Sequence, residues 1–119
     1  MHELDAARDA DGRLAAVLRL CHDLANAASL DAMFASVVQA LVEHTGVTRA
    51  AVLTFDESGI MRFRAAHGLS PEYQKAVDGH SPWSVDAVAP TAILVSDAST
   101  DAAVTGLHDI LSAECIGAL

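Results

Sequence analysis

Between Leu14 and Ala28, the apolar positions Leu14, Val17, Leu18, Cys21, Leu24 and Ala25 recur at intervals of three and four, with Arg13, Arg19, Asp23 and Asn26 on the polar face. The spacing predicts an amphipathic helix over 14–28. A second helix is predicted from Ser29, whose hydroxyl suits an N-cap, with Asp31 in the first turn where the helix dipole favours negative charge. Leu30, Met33, Phe34, Val37, Val38, Leu41 and Val42 carry its stripe onward without a gap. Thr45-Gly46 ends it, glycine supplying the left-handed residue that closes many helices.

Past Gly46 the period shifts from 3.6 towards 2. Ala50 to Phe55 is rich in strand formers, and Asp56-Glu57-Ser58-Gly59 is turn chemistry. Ile60 to Ala66 then alternates Ile60, Arg62 and Arg64 with Met61, Phe63 and Ala65. This predicts an antiparallel hairpin with one buried face. Ser70-Pro71-Glu72 reads as the cap, N1 proline and acidic first turn of a short helix closed by Asp78-Gly79. A loop over 80–90 carries Trp83, and Thr91–Val95 reads as an apolar strand. Asp101–Ala113 is expected to be a helix with Val104, Leu107, Ile110 and Leu111 inward. Ile116–Leu119 reads as the start of another strand. Hairpins beside segregated helices predict an α+β domain built on an antiparallel sheet.

Composition narrows the function classes. A chain of 119 residues, 52% hydrophobic and 4% aromatic, is long enough for an aliphatic core without disulfides or structural metal. Sixteen acidic residues against seven basic ones give a net charge of −9, which repels nucleic acid and anionic membrane surfaces alike. The longest apolar runs fall well short of the ~20 residues of a membrane-spanning helix. Met1–Gly12 is too polar and acidic for a secretory leader, so the cytoplasm is the expected compartment. Cys21 and Cys115 lie far apart without metal-site spacing and read as small buried hydrophobes.

One stretch carries a family resemblance: SLDAMFASVVQALVEHTGVTRAAVLTFDESG, then MRFRAAHGLSPEY, GHSPW, ILVSDASTD and AECIGAL, all between Ser29 and Leu119. In this order the motifs resemble the N-terminal two thirds of a GAF domain, most closely those found beside PAS modules in bacterial sensor histidine kinases. The resemblance implies a PAS-related antiparallel sheet with N-terminal helices on one face and short helices and loops on the other. It also divides the chain into a signalling and dimerisation helix over 1–28 and a GAF domain over 29–119. Relatives continue with further strands and a closing helix, so the resemblance implies either a fragment of a longer protein or missing contacts supplied by another copy at the open sheet edge. Relatives usually carry glycine where this chain has Cys115. Abundant Ala and Asp with a single lysine, Lys75, suggest a GC-rich bacterial genome.

The resemblance implies a non-catalytic sensor that binds a small molecule and relays its state through a helical homodimer; a ligand-free dimerising spacer is the alternative. Trp83, Phe55, Arg62, Arg64 and Tyr73 are the expected pocket residues, the arginines suiting an anionic ligand. Leu14, Val17, Leu18, Cys21 and Leu24 are the expected dimer interface. No metal or other cofactor is expected.

Other chemistries fit less of the sequence. Leu20-Cys21-His22-Asp23-Leu24 resembles a histidine-kinase phosphoacceptor box, but no glycine-rich phosphate loop accompanies it. Thiol exchange of the free methionine sulfoxide reductase type needs a thiolate and a nearby resolving thiol, and only Cys115 stands near the expected pocket. Cyclic-nucleotide binding in relatives uses an Asn-Lys pair that is absent, and Phe55-Asp56-Glu57 reads as a turn. Bilin attachment needs Cys-His late in the domain, whereas Cys21-His22 lies in the first helix. His67 and His80 have no partner at ligand spacing.

Overall fold

The computed structural model describes residues 2–119 as an α+β chain. Its elements are α1 (His2–Ala25), α2 (Leu30–Thr45), β1 (Ala50–Phe55), β2 (Met61–His67), α3 (Pro71–Val77), a 3-10 segment (Ala102–Leu107) and α4 (His108–Ala113). Two compact units arise: the chain up to Val52 with Arg64–Gly68, and Leu53–Phe63 with Leu69–Leu119.

In the first unit, α1 packs on α2 through the half-buried Ala16, Leu20 and Leu24, while Val38 is the buried residue of α2. Ser29 caps α2 by accepting from the Ala32 N–H at 3.1 Å, and Gly46 ends it at φ 74°. α1 is longer than its spacing predicts, starting at His2 rather than Leu14. Ala6, Ala7, Arg8 and Ala10 are strong helix formers, and Glu3 and Asp5 complement the dipole in the first turn. At its other end α1 stops at Ala25 rather than Ala28, where the Asn26 side chain donates to the His22 carbonyl at 2.8 Å. The same carbonyl also accepts the Asn26 backbone N–H at 3.1 Å, so Asn26 ties down the last turn twice.

β1 and β2 pair as a two-stranded antiparallel sheet. Asp56 forms the turn: its Oδ1 accepts from the Ser58 and Ile60 N–H groups at 2.8 and 2.9 Å. Along β2, Met61, Phe63 and Ala65 are half-buried while Arg62 and Arg64 are exposed, as alternation requires.

The core of the second unit is Tyr73, Val95, Ala98, Val104, Leu111 and Ile116, with Phe63, Leu69, Val77, Leu107 and Ile110 packed against it. Ser70 caps α3 by accepting from the Tyr73 N–H at 3.1 Å, with Pro71 at N1. α4 closes in a Schellman arrangement: Cys115 N–H donates to Ser112 and Ile116 N–H to Leu111, at 3.0 and 2.9 Å. The apolar pair that usually accompanies this motif is present, since both Leu111 and Ile116 are buried.

Three expectations are corrected here. Neither Thr91–Val95 nor Ile116–Leu119 is a regular strand. Val95 and Leu119 exchange both backbone bonds at 2.8 Å and Ala98 N–H donates to Gly117, and the pairing extends no further. An apolar run supplies strand propensity, but a strand needs a neighbour along its whole length. The helix expected over Asp101–Ala113 is broken into a 3-10 segment and α4, with Val104 at φ −118°, ψ 22°. β-branched Val104 and Thr105 followed by Gly106 make this the weakest helical stretch in the segment. Val104 and Leu111 are nonetheless buried, with Leu107 and Ile110 packed on the core.

Candidate functional site

The second unit holds an apolar cavity of about 410 Å³. The hairpin contributes Leu53 and Met61, α3 contributes Tyr73 and Val77, and the following loop contributes His80, Ser81, Pro82 and Trp83. Ile93, Val95, Ala103, Val104, Leu107 and Leu119 complete the walls. Residues far apart in sequence therefore converge because α3, the 3-10 segment and the Val95/Leu119 pairing share one core.

Trp83 is held from both ends. Its indole Nε1–H donates to the Thr91 carbonyl at 3.1 Å, and its backbone N–H and C=O both bond the Ser81 hydroxyl, at 3.1 and 2.8 Å. Tyr73 sits edge-to-face with Phe63, ring centroids 6.5 Å apart at 71°, a favoured aromatic geometry.

Of the five residues expected to form a pocket, Tyr73 and Trp83 line this cavity, and Phe55, Arg62 and Arg64 are not among its walls. Arg62 donates to Asp78 at 2.5 Å and to Asp56 at 3.3 Å. Those bonds, Asp78 foremost, raise the guanidinium pKa further. Arg64 belongs to the first unit, where it donates to Asp31 at 2.9 Å and lies 5.2 Å from the centroid of the Phe34 ring. Among the remaining walls, Leu53, Met61 and Ile93 lie within the stretches of family resemblance and Val104 and Leu107 were marked by inward periodicity, whereas Ala103 carried neither signal.

On α1, Leu14, Val17 and Leu18 are 58%, 56% and 61% exposed, Cys21 is exposed and Leu24 is half-buried. Ala7, Leu14 and Cys21 repeat every seven residues, as do Ala10, Val17 and Leu24, which is the a/d pattern of a coiled-coil seam.

His22 is exposed, and its ring nitrogen lies 3.5 Å from the Asn26 amide. Cys21 and Cys115 are both free thiols, and both are exposed rather than buried as their type suggests. Cys115 borders an open depression of about 520 Å³ together with His108 and Asp109. Among the described residues no group of three or more His, Cys, Asp or Glu side chains could hold a metal ion. No helix among them is long and apolar enough to cross a membrane.

No family model and no curated protein matches the chain. A solved structure does: a crystallised domain of a "putative two-component sensor histidine kinase protein" from Sinorhizobium meliloti 1021 is 36% identical, with a TM-score of 0.67. The match covers 77% of this chain and 60% of that one, so the chain spans 60% of the length of the domain it resembles. The chain is thus an α+β domain similar in sequence and fold to a domain of a sensor kinase.

Proposed function

We propose that this chain is a sensory domain of GAF type from a signal-transduction protein, in the setting of a two-component sensor histidine kinase. The observation that carries this is the 36% identity to a sensor-kinase domain at a TM-score of 0.67. The domain works without catalysis: a small molecule occupies the cavity lined by Tyr73 and Trp83, favouring one conformational state over another. The output is the packing of α1 across a homodimer, through Leu14, Val17, Leu18, Cys21 and Leu24. In this reading 1–28 is the signalling helix and 29–119 the sensor domain. Both hairpin strands, and the bond from Gly68 to Leu69, carry the chain from one unit to the other.

The exposed α1 stripe also favours a second reading, a dimerising spacer without ligand. Native mass spectrometry of the purified chain separates the two. A dimer carrying one small molecule per subunit supports the sensor, a bare dimer the spacer, and a bare monomer contradicts both. Val17→Glu, an exposed substitution on the seam, is expected to give a folded monomer; a dimer that survives it places the interface elsewhere.

A further inference from the structure

We infer that the cavity behind Trp83 takes an uncharged, predominantly apolar molecule of one or two rings. This rests on the reading of that cavity as the sensor's ligand site and adds the chemistry of what enters it.

The walls carry the argument. Leu53, Met61, Val77, Ile93, Val104 and Leu107 present hydrocarbon, and no Asp, Glu, Lys or Arg is among the lining residues. An ion brought against such walls loses its hydration and gains no counter-charge, a loss that apolar contact does not offset. Arg62, the strand cation of the same unit, is already held by Asp78 and Asp56. Arg64 is held by Asp31. A phosphate or carboxylate would therefore find no lysine or arginine on the walls.

The polar groups that do border the cavity are mostly committed. The indole N–H of Trp83 is used by Thr91, so what Trp83 offers a ligand is ring surface. The Ser81 hydroxyl both donates to and accepts from the Trp83 backbone. His80 is exposed, and its ring makes no hydrogen bond among the described residues, which leaves it able to meet one polar group on the ligand. About 410 Å³ lies near the lower end of the roughly 300–1,000 Å³ typical of ligand sites, which sets the one- or two-ring size.

Trp83 is the sole tryptophan, so it reports its own cavity. The test titrates the whole chain with prodan (6-propionyl-2-(dimethylamino)naphthalene), a neutral two-ring fluorophore, and separately with the anion AMP. Expected is saturable quenching of Trp83 with energy transfer to the neutral probe at one per chain, and no response to AMP. Ala103→Phe places a ring into the cavity from its wall and is expected to weaken the probe by about tenfold or more. Circular dichroism unchanged from the parent shows that the variant is folded.

AMP binding that displaces or replaces the neutral probe overturns the ligand class and leaves the sensor site standing. Folded protein that binds neither overturns both. Probe binding that does not saturate, or that ignores Ala103→Phe, is surface adsorption and overturns the assignment.

Discussion

Ser70 and Glu114, 44 residues apart, hold one another through two hydrogen bonds: the Ser70 N–H donates to Glu114 Oε1 at 2.7 Å and the Ser70 hydroxyl to Oε2 at 2.5 Å. The same hydroxyl caps α3, so one carboxylate at the end of α4 fixes the start of α3. Hydrogen bonds to a charged, partly buried acceptor are worth more than neutral ones, and Glu114→Ala is expected to cost about 2–3 kcal/mol. Urea unfolding checks this. Glu114→Gln, which keeps an acceptor for one of the two donors, should fall between; equal loss in both variants would mean the charge, not the second bond, matters.

Cys115 occupies the left-handed position of the Schellman turn at φ 58°, where glycine is the usual occupant. A non-glycine residue there carries a conformational cost of about 1 kcal/mol. Cys115→Gly is therefore expected to hold or raise the thermal midpoint, opposed by the greater freedom of glycine in the unfolded chain. The Cys115 thiol has no assigned role, so ligand titrations of the variant should match the parent. Loss of ligand response with the fold intact would give the thiol a role.

Two glycines of similar φ separate conformational strain from crowding. Gly46, at 74°, has open space around the position of an added Cβ, whereas a Cβ on Gly68, at 71°, would run into the Thr48 carbonyl oxygen. Gly46→Ala should cost about 1 kcal/mol from the left-handed backbone alone. Gly68→Ala should cost about 3 kcal/mol or more, since the backbone of Thr48 must also shift. Chemical denaturation of the two variants side by side reads the difference; equal costs would show that Thr48 gives way freely.

Asp56 and Asp97 both have carboxyl pKa values below the ordinary 3.8, Asp56 chiefly through the Ile60 N–H and Asp97 chiefly through the Ser99 hydroxyl. The folded state therefore favours the ionised form of each. The stability they add is fully present above 3.8 and is lost as pH falls through their lower folded values. Asp56→Asn keeps the turn's acceptor but not its charge, so the variant should be less stable than the parent at neutral pH. The gap should close as the pH drops below 3.8. A gap independent of pH would show that the charge of Asp56 contributes nothing.

Local chemistry was legible in the sequence wherever a residue acts on its near neighbours. Ser29, Gly46, Ser70 and the Asp56 turn all satisfy backbone groups within a few positions, and each does what its type implies. The roles of Arg62 and Arg64 were not legible in that way. Alternation places them on the exposed strand face, but their partners Asp78 and Asp31 lie 16 and 33 residues away. Thr91–Val95 misleads for a related reason, since apolar content describes a strand's preference and not its neighbour. The cavity was half visible: Tyr73 and Trp83 stand out as aromatics, whereas Ile93 and Ala103 reach the wall only through tertiary packing.

The proposed relay requires that occupancy of the cavity be felt at α1. Sedimentation equilibrium of the chain with and without saturating prodan measures this as a change in the dimer dissociation constant. Coupling between sites of about 1–3 kcal/mol predicts a shift of roughly 5- to 150-fold, in either direction. A probe that saturates Trp83 while the dimer constant stays the same contradicts the relay.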